Sequence, residues 1–398
     1  MSATLRNWQG FPAILAFVTL LVLPVALVDG LPVFVAGLGV EMILVLLLLL
    51  FALFAATRTD AAPAGDLALA VGALAAAALT IRYLPGAELA MTEAARSAAA
   101  AGRSTMLARI AIVPGLWALA LLAWLLAWQL VSRLAVARGP NSSAHFLLGI
   151  AVPLIFGLSL LFLWEILARG FGVPFVLLPP PSAIGAKIAA SLPILLADFR
   201  QTFLKAVLAG YAIGCLSGFL VALAADRVAS LKRGLLPIGN LVSALPIIGI
   251  APIMVMWFGF DWQSKAAVVA VMTFFPMLVN TLAGLTASDA MQRDLMQTYA
   301  ATHRQALFKL RLPAALPFIF NALKINSTLA MIGAIVAEFF GTPVVGMGFR
   351  ISTEVGRLNI DMVWAEIAVA ALAGSLFYGI VTLIERLATF WHPSFRQS

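Results

Sequence analysis

Charged residues are scarce in this sequence. Only 11% of its 398 residues are Asp, Glu, Lys or Arg, while 63% are hydrophobic. A soluble domain has about 25% charged residues, and a soluble protein of this length could not cover its surface with so few. This scarcity argues against a soluble enzyme, a secreted disulfide-bonded protein and a nucleic-acid binder. At about 20 apolar residues per membrane crossing, the chain has room for about ten spans and none for a large soluble domain.

Cysteine, histidine and the common catalytic motifs are also rare or absent. Cys215 is the only cysteine, and the histidines, His145, His303 and His392, are far apart, so the sequence offers no disulfide framework and no metal-binding cluster. It contains no Gly-Lys pair and therefore no phosphate-binding loop for ATP. The motifs Gly-x-Ser-x-Gly and His-Glu-x-x-His are missing too. We expect a chain that is not an enzyme and binds no cofactor or metal of its own.

Long uncharged runs predict an all-α polytopic membrane protein with about ten transmembrane helices. The runs are 11–28, 31–56, 67–84 and 110–132 before a polar break at 133–143, and 146–164, 206–225, about 235–258, 266–288, about 322–340 and 367–384 after it. The prediction is an accessory region of about four spans at 1–140 and a six-span core at 141–398. Prolines in 170–202 preclude a continuous helix, so we expect that segment to lie along one membrane face.

The formal net charge is +8, and the excess cations lie in loops. Arg227, Lys232 and Arg233 precede the seventh span, and a second cationic group lies in the polar segment 289–317. Positive loops favour the cytoplasmic side, and two crossings separate these loops, so both are expected to be cytoplasmic. The excess of basic residues thus indicates which loops face the cytoplasm and predicts that these loops contact lipid headgroups.

The segment 289–317 is the most polar part of the chain. Its pattern predicts a short helix, a turn near Ala300–Thr302, and a second amphipathic helix that Pro313 and Pro317 stop before the next span. A basic cytoplasmic connector is one interpretation of this composition. The two prolines favour another, in which the segment is a coupling element that enters the membrane at a fixed angle.

At this point the sequence resembles the transmembrane subunits of type I ABC importers, in the branch that transports nitrate, sulfonates, taurine and pyrimidine precursors. When the family's loop motif is aligned on Leu312–Pro313, Asp294 falls at its acid, Ala300 at its glycine and Leu310 at its later aliphatic residue. The stretches 244–259, 274–285 and 332–351 also resemble the family, in the right order. The resemblance covers roughly 145–390 and identifies residues 289–317 as the coupling loop, with these candidate contact residues: Asp294, Ala300, Ala301, His303, Arg304, Leu310 and Pro313.

The resemblance implies a permease subunit of the inner membrane that works by alternating access. Its implied partners are a cytoplasmic ATPase that carries the ATP and Mg, an extracytoplasmic solute-binding protein and a second permease subunit, most simply a copy of the same chain. The implied substrate is a small anion or small polar organic solute, such as nitrate, a sulfonate or a pyrimidine precursor. Two other classes stay open at this stage, an ion-coupled secondary transporter and a membrane scaffold or sensor.

Several residues inside the predicted spans are candidates for the substrate path. Pro246, Gly249 and Pro252 are expected to break a span midway, and such breaks are buried or line a cavity. Asn280 lies in mid-span, where it lines a path or joins helices by a hydrogen bond. Glu338 is an intramembrane acid near the outer end of its span, where it serves as a gate, an inter-helix hydrogen-bond acceptor or a substrate contact.

A ladder of small residues in the sixth predicted span has a simpler interpretation. Gly210, Gly214 and Gly218 repeat every four residues. Glycines at this spacing lie on one face of a helix and permit a neighbouring helix to approach closely. We therefore expect these three glycines to pack against another span.

Overall fold

The computed structural model describes residues 26–28, 31–33, 63–137, 142–228, 230–231, 233–235, 237–238, 246–341 and 345–391. The predicted spans 11–28 and 31–56 lie almost wholly outside these ranges. Their described residues form a short antiparallel pair, β1 (Ala26–Val28) and β2 (Leu31–Val33), with Leu27 opposite Pro32. This pair is strand where the sequence predicted helix.

The remaining described elements are helical. In chain order they are α1 Pro63–Ala100, α2 Thr105–Ile112, α3 Pro114–Leu134, α4 Ser142–Gly170, α5 Pro181–Ala190, α6 Leu192–Phe199, the π-helix π1 Arg200–Val207, α7 Leu208–Arg227, α8 Ile247–Phe258, α9 Trp262–Thr286, α10 Ala290–Thr298, α11 His303–Ala306, the π-helix π2 Leu307–Arg311, α12 Leu312–Glu338, α13 Met347–Gly356 and α14 Ile360–Ala388.

The chain divides into two compact units, Met1–Ala183 and Ile184–Ser398. In the first, buried Leu69, Leu84 and Met91 of α1 belong to the same apolar cluster as Leu119 and Leu122 of α3. Helix α4 also packs in this unit, against α3 and α1. The reason is that α4 and α3 are neighbours along the chain and share an apolar face.

Seven helical runs among the described residues are long and apolar enough to cross a membrane. They are Asp66–Ala100, Pro114–Leu134, Leu148–Gly170, Leu192–Arg227, Trp262–Thr286, His303–Glu338 and Ile360–Ala388. The predicted span at about 235–258 is described in part, as the shorter apolar helix Ile247–Phe258.

The prediction for 170–202 is wrong over its last residues. From Leu192 the chain is already part of the long helical run that ends at Arg227. The proline that seemed to preclude this, Pro193, lies in the first turn of α6, where a backbone N–H has no intrahelical acceptor. A proline there costs the helix nothing, so it starts earlier than the composition indicates.

Helices α7, α9 and α12 form the centre of the second unit. A Cβ atom added at Gly210 would lie 2.5 Å from the Ala266 carbonyl oxygen, and one at Gly214 or Gly218 would meet the α9 backbone equally closely. The glycine ladder therefore lies directly against α9. On the next face of α9, a Cβ at Gly284 would lie 2.9 Å from the Ala315 Cβ atom of α12.

Candidate functional site

The second unit has two ends, which α9 and α12 connect. The loop end carries the coupling loop, between Thr286 and Leu312, and the far end carries the start of α9 at Trp262 and the end of α12 at Glu338. Helix α9 has 25 residues, which at about 1.5 Å per residue exceeds the roughly 30 Å of a bilayer core. The two ends thus lie on opposite sides of a membrane.

In the coupling loop, α10 ends in a tight turn at Ala300. The Ala301 amide donates to the Met296 carbonyl at 3.0 Å and the Ala300 amide to the Gln297 carbonyl at 2.8 Å. This is the Schellman pair of hydrogen bonds. Ala300 has a φ of 49°, a left-handed conformation that favours glycine. The turn that the sequence predicted here is therefore closed by an alanine at the position where the family motif has glycine.

The second half of the loop leads into the membrane without a break. Thr302 and Gln305 form a reciprocal capping box at the start of α11. The prediction that Pro313 and Pro317 stop this helix is wrong, because His303–Glu338 is one continuous helical run. In π2 the Leu312 amide donates to the Leu307 carbonyl, five residues back. The wider turn of π2 ends where α12 begins. Pro313 lies in the first turn of α12, so the missing N–H of the proline does not interrupt the helix.

An apolar stripe on α10 faces outward. Met291, Leu295 and Tyr299 are 76%, 55% and 77% exposed, and their spacing of four places them on one helix face. The candidate contact residues Asp294, His303 and Arg304 are exposed as well. Exposed apolar residues among charged ones are typical of a protein-binding surface. Sequence reasoning missed this stripe, although its four-residue spacing was visible.

Arg311 braces the coupling loop against two other helices. Its guanidinium donates to the two carboxylate oxygens of Asp226, at 2.8 and 2.6 Å, and its Nε donates to the Leu285 carbonyl at 3.0 Å. Asp226 lies in the last turn of α7 and Leu285 in the last turn of α9. The end of the coupling loop is thus held to the loop ends of both spans, a connection that the sequence did not reveal.

The predicted break at 246–252 is narrower in the structure than expected. Pro246 has extended backbone and precedes the first turn of α8, but Gly249 and Pro252 lie within that helix. The prediction that all three interrupt a span is therefore wrong for Gly249 and Pro252. Pro252 is the sixth residue of α8, so the helix lacks one backbone hydrogen bond there, to the Ile248 carbonyl, yet continues to Phe258. Pro246 and Gly249 are exposed, and the 12 residues of α8 span about 18 Å.

The two polar candidates within the spans are engaged in protein contacts. The Asn280 side chain donates to the Pro276 carbonyl of its own helix at 2.8 Å, so it joins no second helix through this bond. Glu338 is 2% exposed, and its two oxygens accept from the Thr202 hydroxyl at 2.8 Å and the Gly348 amide at 2.7 Å. Of the roles considered for Glu338, the inter-helix hydrogen bond is the one that the geometry displays.

A second acid and a lysine complete this far-end cluster. Buried Asp198 accepts from the Gly346 amide at 2.7 Å and from Arg350 Nε at 2.8 Å, and this hydrogen bond raises the pKa of Arg350 above its usual range. Lys265 is fully buried and donates to the carbonyls of Phe260 and Gly341. These contacts tie the turn before α9 and the segment after α12 to α6 and π1.

A bundle of long apolar helices with a polar helix–turn–helix at one end defines a multi-pass membrane protein. Residues 210–390 match the family described as the inner membrane component of binding-protein-dependent transport systems. The formylaminopyrimidine transport permease protein ThiX of Halalkalibacterium halodurans is 32% identical over 239 residues, which cover 60% of this chain and 95% of that protein. The chain belongs to this family and is a transport permease of the inner membrane.

Two further relatives match the same region. The putative aliphatic sulfonates transport permease protein SsuC of Bacillus subtilis is 26% identical, covering 66% of this chain and 94% of that protein. The taurine transport system permease protein TauC of Escherichia coli is 31% identical, covering 52% of this chain and 70% of that protein. All three relatives are named as transport permeases.

Proposed function

We propose that this chain is the translocating subunit of an ATP-driven importer and that its coupling loop docks on a cytoplasmic ATPase. The observation that carries the proposal is the exposed apolar stripe of α10, surrounded by charged residues and braced through Arg311. A loop that only connected two spans would need neither the outward-facing stripe nor the ion pair.

The coupling loop has the rigidity that this role requires. The Schellman turn at Ala300 and the capping box at Thr302 fix both short helices, and α11, π2 and α12 form one rod to the far end. When the ATPase moves the stripe on binding ATP, the rod and the Arg311 brace carry the displacement into α7, α9 and α12. Mg and ATP belong to the partner subunit, and the solute-binding protein meets the far end.

The substrate is a small anion or small polar organic solute of the sulfonate, taurine, nitrate or pyrimidine-precursor kind. Support comes from the names of the relatives and from the exposed start of α8, which the 18 Å length of that helix would bring to about mid-membrane if the helix ends at the far membrane face. A discontinuous helix at that depth is a common substrate-binding device, because its first-turn N–H groups face the path. A homodimer supplies the second wall of the path, and Pro246 and Gly249 line it.

Replacement of the stripe tests the docking. In L295A/Y299A, co-purification of a co-expressed ATPase partner should fall at least about tenfold, because the variant removes two of the three large apolar side chains of the stripe. Gln292→Ala, an exposed position on the same helix, is the matched control. Retention of the ATPase by the double variant would disprove the docking surface.

Reconstitution into liposomes tests the function itself. The complete complex with its binding protein should transport a radiolabelled sulfonate or pyrimidine precursor only when ATP is present on the side of the membrane that carries the ATPase. Import that follows a proton or sodium gradient without ATP would contradict the proposal and favour a secondary transporter.

A further inference from the structure

An open cleft of about 790 Å³ lies at the far end of the second unit. It is bounded by π1, by the turn between α8 and α9, and by the chain before α13. Its principal lining residues are Arg200, Gln201, Lys205, Phe260, Asp261 and Val345. Nothing in the coupling mechanism above uses these side chains.

The geometry of the π-helix explains why Arg200 and Lys205 line the same cleft. In a helix with i→i+5 hydrogen bonds each residue turns about 80°, against about 100° in an α-helix. Arg200 and Lys205 are five residues apart, so π1 places them about 40° apart around the axis, where an α-helix would place them about 140° apart. The unusual geometry therefore gathers two positive charges on one face, and π-helical turns often occur at functional sites.

Neither cation has a carboxylate partner among the residues that the structure describes. Lys205 donates to the Gln201 amide oxygen at 2.9 Å, and Gln201 in turn donates to Asp261 at 2.7 Å. Asp261 is already engaged as the N-cap of α9, where it accepts from the Trp262 amide at 2.8 Å. The cleft lining thus holds two cations and one acid, a net positive charge, and Asp261 accepts the bonds from Gln201 and from the α9 terminus through the same oxygen, Oδ1.

We propose that this cleft binds the oxyanion head of a small organic anion, a sulfonate or a carboxylate. Arg200 and Lys205 bind the head, because guanidinium and ammonium donors form strong charge-assisted hydrogen bonds with oxyanions. The exposed ring of Phe260 and the side chain of Val345 contact the apolar body. The cleft lies at the extracytoplasmic end, an orientation that rests on the proposed function, and it is the first site that the solute meets on the permease.

A cysteine introduced at position 345 reports the electrostatic potential of the cleft, and the measurement does not require the protein to transport anything. Val345→Cys is labelled in the full chain in nanodiscs with two reagents, the anionic 2-sulfonatoethyl methanethiosulfonate and its cationic trimethylammonium analogue. The unsubstituted chain is the blank, because Cys215 is buried. Each labelling rate is divided by the rate of the same reagent with a free thiol in solution. After this normalisation, the anionic reagent should react about tenfold faster than the cationic one. Ethanesulfonate at millimolar concentration should slow the anionic reagent, whereas its neutral sulfone analogue should not.

The role of the two cations is tested by introducing R200Q/K205Q into the Val345→Cys chain. The double substitution should abolish both the faster reaction of the anionic reagent and the protection by ethanesulfonate. Arg386→Gln, which removes an exposed cation from the last turn of α14, should change neither. An unchanged reagent preference in the double variant, or no protection by ethanesulfonate, would overturn the site. Protection in a complex that imports no sulfonate or carboxylate would leave the site standing and refute the proposed substrate class instead. Import without protection would refute the site alone.

Discussion

Arg311 and Asp226 form a two-pronged ion pair, with N···O distances of 2.8 and 2.6 Å, between the end of the coupling loop and the last turn of α7. The carboxylate side chain is 6% exposed and the guanidinium 18%. A pair this shielded from water is costly to break from one side, because the remaining charge stays buried without its partner.

The first prediction concerns this pair. Arg311→Gln should destabilise the second unit by about 3 kcal/mol, because it leaves Asp226 without its cation. The double variant D226N/R311Q should recover most of that loss, since it removes both charges. Melting of the purified chain in detergent measures the cycle, and Lys309→Gln, an exposed neighbour, is the control. Additive losses in the double variant would show that the two side chains do not interact.

The second prediction concerns the left-handed turn. Ala300→Gly should stabilise the end of α10 by about 1 kcal/mol, because a side chain in the left-handed region is strained and glycine is not. Hydrogen exchange of the Ala300 and Ala301 amides, which close the turn, should slow about fivefold. Ala301→Gly adds the same flexibility one residue later and should speed the exchange. Faster exchange in Ala300→Gly would mean that the turn is not strained.

The third prediction concerns the glycine ladder. Gly214→Ala should lower stability by about 1–3 kcal/mol, because the added Cβ meets Thr273 and the Ala270 backbone of α9. Gly379→Ala is a matched control in α14, where an added Cβ has no atom within 4 Å. The melting temperature of the two variants in detergent separates packing from helix propensity. Equal melting temperatures for the two variants would show that the glycine ladder does not pack closely against α9.

The fourth prediction separates a structural Glu338 from a substrate-binding one. Glu338→Ala should lower the melting temperature more than Glu338→Gln, since only glutamine keeps an acceptor for the Gly348 amide. Import by folded Glu338→Gln complexes should show an unchanged KM, because both carboxylate oxygens are engaged by Thr202 and Gly348. A KM raised about tenfold at normal stability would instead place this carboxylate on the substrate path.

Proline shows where sequence patterns mislead in this chain. Pro193, Pro252, Pro313 and Pro317 each suggested a stop or a break, yet each lies within a helix or in its first turn. A proline interrupts a helix only where an N–H is needed and the ring meets a carbonyl four residues back. Pro193 and Pro313 lie in a first turn, where no N–H is needed. Pro252 and Pro317 lie inside helices that continue past them with one backbone hydrogen bond fewer, and composition alone does not distinguish the two cases.

The sequence by itself determined the solvent, the helical class and the place of the polar helix–turn–helix segment between α9 and α12. These are properties of local windows, because hydropathy over about 20 residues sets what crosses a bilayer, and polar, turn-forming residues set what does not. The family resemblance rested on the same local stretches.

Only the tertiary structure decided which polar side chains meet. Arg311 lies 85 residues from Asp226 and Glu338 lies 136 from Thr202, separations over which no local pattern specifies a partner. The two π-helices are also tertiary outcomes, since an i→i+5 turn is less favourable in isolation and persists where packing holds it. For that reason the Arg200–Lys205 cleft, which depends on π1, was visible only once the helices had packed.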